Sequence, residues 1–74
     1  MERRFYKKLW SIRFDKMLKL EEKSVVDYQS LLHECQKHYK NVAIIAHLER
    51  LIADEKKHAL LVRELIQILE RQRD

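Results

Sequence analysis

The chain has 74 residues and neither glycine nor proline, which excludes an all-β fold, because tight turns need those residues. A single domain of this size buries only about 60% of its unfolded surface and is marginal as a lone monomer. The net charge of +4 is scattered apart from one N-terminal concentration, and a single cysteine excludes both an internal disulfide framework and a four-cysteine metal knot.

Leu, Lys, Glu, Arg, Ile and Ala dominate, and these are mostly good helix formers, so the expected class is all-α. Residues 1–13 form a basic, aromatic segment carrying Arg3, Arg4, Phe5, Tyr6, Lys7, Lys8, Trp10 and Arg13. The spacing of Phe5, Leu9 and Ile12 permits a helix. Ser11 is a candidate N-cap, which leaves open a separate short helix or the start of a longer one.

From Phe14 onward, Phe14, Leu18, Glu21, Val25, Tyr28, Leu32 and Cys35 alternate steps of four and three, and Met17 and Leu31 widen the stripe. This is an amphipathic helix with one acid, Glu21, on its apolar seam. The pattern breaks at Lys37-His38-Tyr39-Lys40-Asn41, read as a turn in which Asn41 is an N-cap or a left-handed residue. A second helix then runs from about Val42 to Arg71, with Ile44, Leu48, Leu51, Glu55, His58, Val62, Leu65 and Leu69 on its stripe. Ile45, Ile52, Ala59 and Ile66 form a second line, so the apolar face is wider than a two-helix seam and suits a multi-helix bundle. The tail 71–74 is expected to fray. Residues 14–74 are thus a helical hairpin.

Glu55 and His58, three residues apart, share one helix face. Burying a carboxylate and an imidazole on an apolar stripe without partners costs roughly several kcal/mol, and a bound metal is one reason to have them there. Position 38 lies midway between Glu21 and Glu55, inside the turn. Both acids therefore lie about 25 Å from the turn in an antiparallel hairpin, at one height. One hairpin supplies three ligands and leaves its wide face uncovered. Two identical hairpins cover that face, make a four-helix bundle, and double the set to four carboxylates and two imidazoles, the donor set of a di-iron or di-manganese carboxylate site.

Glu21, Tyr28 seven positions on, and Asp54-Glu55-Lys56-Lys57-His58 give the chain its likeness: residues 14 to 70 resemble half of the ferritin-like, rubrerythrin-type unit. The resemblance implies a ferritin-like four-helix bundle with Glu21, Glu55 and His58 as metal ligands and Glu22 as the alternate to Glu21. It also implies that Asp54 steadies a ligand histidine of the opposite half, as carboxylates do for metal-bound imidazoles. Tyr28 would hydrogen-bond a carboxylate ligand. The cofactor implied is iron, two per dimer, with manganese as the alternative; hard carboxylates with one imidazole per metal suit either. Glu55 and its symmetry mate would bridge the metals, Glu21 would be a terminal ligand, and no catalytic group beyond the metal site is named. Ferroxidase activity, or O2- or peroxide-linked oxidoreductase activity with an unidentified electron donor, follows from the likeness. The single Cys35 leaves this chain without the rubredoxin-type iron centre of full rubrerythrins.

The competing class is a metal-free helical dimerisation or adaptor module, in which the polar seam residues pair to set register. A nucleic-acid partner for the basic N-terminus is not expected. No stretch approaches the ~20 apolar residues of a membrane span, and no signal-peptide core is visible, so a cytoplasmic homodimer or higher homo-oligomer is the expectation. His33, His38 and His47 are read as surface residues and Cys35 as a small buried apolar group.

Overall fold

The structure is a computed structural model and describes residues 2–72; Met1, Arg73 and Asp74 lie outside the described residues. It is a hairpin of two long helices, α1 (Glu2–His38) and α2 (Val42–Glu70), with an extent of 56 Å along its length and 14 Å and 11 Å across it. The length is that of α1 itself, 37 residues at about 1.5 Å each. Residues 2–13 belong to α1, which runs through Ser11 without a break, so that serine caps nothing. No proline or glycine is present to stop the helix earlier. Among the described residues no helix is long and apolar enough to cross a membrane.

The turn is shorter than the sequence indicates, because Lys37 and His38 remain helical. The amides of Tyr39 and Lys40 both donate to the carbonyl of Cys35, at 3.0 and 2.8 Å. Lys40 then takes a left-handed backbone, φ 53°. Asn41 caps α2: its side-chain oxygen accepts from the amide of Ile44 at 3.0 Å. The sequence leaves Asn41 as cap or left-handed residue; it is the cap, and lysine carries the strain. A non-glycine residue in this region costs about 1–2 kcal/mol. Lys40→Gly relieves that cost, partly offset by the freedom glycine gains when unfolded. The expected net gain is about 0.5–1 kcal/mol, seen as a higher urea midpoint at unchanged slope. An unchanged or lower midpoint would show that Lys40 is not strained.

The seam of α1 lies where its spacing puts it. Phe14, Leu18, Glu21, Val25, Tyr28, Leu32 and Cys35 are all half-buried. On α2 the face is rotated relative to the expected stripe. The fully buried residues are Ile52, Ala59 and Val62, so the line Ile45, Ile52, Ala59 and Ile66 faces α1. Ile44, Leu51, His58 and Leu65 lie on the flank and are exposed. The physical reason is the width of the apolar face: one partner helix covers only its centre, and the seven-residue line to one side stays uncovered.

Opposite flanks of the hairpin differ. One carries Glu22, Lys56, Leu60 and Arg63 around a shallow groove. The other carries Trp10, Met17, Leu31, Ile44, Leu51 and Leu65, each 40–54% exposed. Total accessible surface is 6391 Å². A compact monomer of 9.1 kDa would expose about 4,900 Å². The excess is the signature of a molecule that is one layer thick.

Candidate metal centre

Glu21 on α1 and Glu55 and His58 on α2 meet midway along the hairpin, on the apolar flank. One ligand-type atom from each lies within 4.8 Å of the others. His58 Nδ1 is 3.9 Å from Glu21 Oε2 and 3.7 Å from Glu55 Oε1. Helix periodicity produces this: Glu55 and His58 are one turn apart on α2, and the short turn sets α1 antiparallel at matching height. The two carboxylates are half-buried while the His58 side chain is 54% exposed.

The sequence leaves Glu21 and Glu22 as competing ligands, and the structure sends them to opposite flanks. Glu22 Oε2 accepts from Arg63 Nη2 at 2.8 Å, an exposed ion pair between the helices. Such pairs contribute little to stability, about 0–1 kcal/mol. Glu21 instead joins Glu55 and His58. Arg63 is the residue that sequence reading missed; the only signal was a cation able to cross from α2 at the height of Glu22.

The other named residues fall as follows. Asp54 is exposed, one residue before Glu55. Tyr28 is half-buried and two turns, about 10 Å, along α1 from Glu21. Cys35 is half-buried near the turn. His47 Nδ1 lies 2.7 Å from the carbonyl of Ala43, and His38 lies 3.5 Å from Glu34, both on the surface. His33 is exposed.

Glu21 is the unbalanced member of the group. Its Oε2 is buried and has no hydrogen-bond partner. The neighbouring Glu55 carboxyl, placed where the two could share a proton, is the main cause that raises its pKa above the ordinary glutamate range. Burial and the Glu55 charge add to the rise, and His58 opposes it. The native chain therefore holds this proton more tightly than the unfolded chain does. By linkage, the stabilising effect is present below the unfolded pKa and is lost as pH rises through the higher folded value. Glu21→Gln removes the ionisation. Comparing melting midpoints of the metal-free proteins across mildly acidic to neutral pH should show the variant losing less stability as pH rises. Parallel curves would show that Glu21 is not perturbed.

The donor set fits a divalent cation. Two facing carboxylates with one imidazole leave excess negative charge when both acids are ionised, and Glu21 Oε2 is then a buried oxygen without a hydrogen-bond partner. Three ligands of this kind fall short of a closed structural zinc site. Oxygen-rich donors with imidazole suit iron or manganese.

No family model matches the chain, and no curated protein or solved structure is significantly similar to it. The likeness to ferritin-like proteins therefore stands on Glu21, Tyr28 and Asp54-Glu55-Lys56-Lys57-His58 and their spacing alone.

Proposed function

We propose that the chain is half of a ferritin-like di-metal carboxylate protein of the rubrerythrin type, and that two copies complete the site. The observation that carries this is the meeting of Glu21, Glu55 and His58 at one height on the apolar flank, with Glu21 Oε2 buried and unpartnered. Glu21 and Glu55 supply hard oxygen donors, His58 supplies an imidazole, and the second copy supplies the same three. Iron is the metal the donors favour, two per dimer, with manganese as the alternative. Glu21, Glu55 and His58 would hold the metal, and iron bound there would supply one-electron redox chemistry toward O2 or peroxide.

The protein's share of that work is placement. Met17 and Leu51, exposed on the flank and close in register to the three ligands, would limit water at the site once a second hairpin covers them; Val62 is already buried inside the hairpin. The excess negative charge favours the higher oxidation state, because a more positive ion gains more from the same carboxylates. Asp54, exposed on the turn that carries Glu55, would steady an imidazole of the other copy. O2 or peroxide is the small-molecule partner, an external donor returns the electrons, and a reducing cytoplasm suits the ferrous ion and the free Cys35.

The test is metal content and solution mass after anaerobic loading with Fe(II), followed by exposure to air. Two irons per dimer, with a near-ultraviolet ferric band growing in, is the expected result. A dimer that retains no iron would instead favour a metal-free dimerisation module.

A further inference from the structure

The first third of α1 turns much of its polar side inward. At the open end the residues on the α2 side are Lys7, Ser11 and Phe14, all half-buried. Lys7 Nζ donates to the carbonyl of Gln72 at 2.6 Å. The apolar residues of the same stretch point the other way. Phe5, Ile12 and Leu20 are 58–62% exposed. With half-buried Leu9 they fall within about 80° of arc, at about 100° per residue, nearly opposite the α2 side. Tyr6 is exposed beside them and packs edge-on against Phe5, at 5.4 Å between ring centres. This is a second apolar face, about 23 Å long from Phe5 to Leu20, that the hairpin does not use. It is separate from the flank of the metal centre, because Trp10 and Met17 lie about 110° away round the helix. A second copy docked over Glu21, Glu55 and His58 leaves it uncovered.

Charge singles out the same stretch. Residues 1–18 hold six Lys and Arg against two acids, and the rest of the chain holds ten of each. The whole net charge of +4 is therefore concentrated there. Arg3, Arg4, Lys7 and Lys8 lie in the first two turns of α1, at the positive end of the helix dipole. Cations there oppose the dipole, so helix stability does not account for the cluster. Lys8 and Arg13 stand at the two edges of the apolar face and Lys16 within it, all exposed. Such side chains lay their stems along an apolar surface and extend the charged end to a polar layer.

These features choose between occupants. A second copy on this face would bring +4 against +4 within the ~8–10 Å over which salt screens charge. Nucleic acid matches the charge, but Leu9, Ile12 and Leu20 offer no planar surface on which bases stack. An anionic lipid surface uses both properties. Aromatic and aliphatic side chains enter the boundary between headgroups and acyl chains, and cations meet the headgroup phosphates and carboxylates.

We propose that residues 2–20 of α1 are a docking face for an anionic phospholipid surface. Phe5, Leu9, Ile12 and Leu20 insert, and Lys8, Arg13 and Lys16 lie at the headgroups. The helix lies on the bilayer without crossing it; among the described residues no helix is long and apolar enough to cross. The inference is independent of the metal-centre reading, since it uses none of Glu21, Glu55 and His58.

Co-sedimentation of the full chain with vesicles tests this. Binding to mixed phosphatidylserine and phosphatidylcholine vesicles is expected, weakening as salt rises and much weaker on phosphatidylcholine alone. Lys8→Gln with Lys16→Gln should weaken it about 25-fold, at about fivefold per cation. Phe5→Gln with Ile12→Gln should weaken it about tenfold or more, because two inserted side chains are lost. Both variants change exposed positions, so their circular dichroism and iron content should match the parent's. No binding of the parent at low salt would overturn the proposal, and so would unchanged binding by the Phe5 and Ile12 variant. A parent that ignores the vesicles at low salt yet retains single-stranded DNA would assign the cluster to nucleic acid. A Phe5 and Ile12 variant that drops from dimer to monomer in solution would assign the face to a second copy.

Discussion

Glu55→Gln is expected to abolish iron retention and, with it, all metal-dependent stabilisation. It keeps the shape of the side chain and removes the charge from the residue that faces both Glu21 and His58. At a thousandfold excess of free metal over Kd, binding stabilises a fold by about 4 kcal/mol. The parent protein should therefore melt higher with Fe(II) than without, and the variant should show one midpoint in both conditions. His58→Leu should behave the same way with metal while matching or exceeding the parent without it, because an exposed imidazole on an apolar line is replaced by a packing group. Full metal content in either variant after desalting would remove these residues from the site.

The second large effect lies on the flank. Leu51→Lys with Leu65→Lys puts two ammonium groups per chain on the exposed flank where the proposed second copy would dock. An unpaired charge left in such a contact costs roughly several kcal/mol, so four of them reach the whole stability of a small protein, about 5–15 kcal/mol. The hairpin alone fully buries only Ile52, Ala59 and Val62 among its described residues. Loss of the partner should therefore cost helicity as well as mass. Light scattering should read a monomer, and far-ultraviolet circular dichroism should fall strongly at low concentration. A variant that keeps the parent's mass and helicity would place the contact elsewhere.

Much of this architecture was legible because helices announce themselves by period. The seam of α1 from Phe14 to Cys35 reads off directly, since one partner helix covers it and steps of four and three mark that cover. The orientation of α2 did not read off. Two apolar lines run along it, and nothing in the order of residues says which one a single partner will take. The spacing puts His58 on the apolar stripe, and that part of the stripe lies on the exposed flank. The left-handed residue was also hidden: Asn41 has the side chain that tolerates such a backbone, yet its oxygen is used on the amide of Ile44, and the strain passes to Lys40. The choice between Glu21 and Glu22 needed three dimensions, because adjacent residues on a helix point about 100° apart and only the position of Arg63 shows which way each one faces.

The backbone of Lys40 also decides the topology. If that residue and its neighbours took helical angles, α1 and α2 would fuse into one rod of about 100 Å. Two such rods lying side by side could restore every contact of two hairpins by exchanging halves, the arrangement called domain swapping. With no glycine or proline to punctuate the chain, one strained torsion and one asparagine cap are the local features that turn it back on itself. Hairpin and swapped rod would then differ only in a few residues far from Glu21, Glu55 and His58.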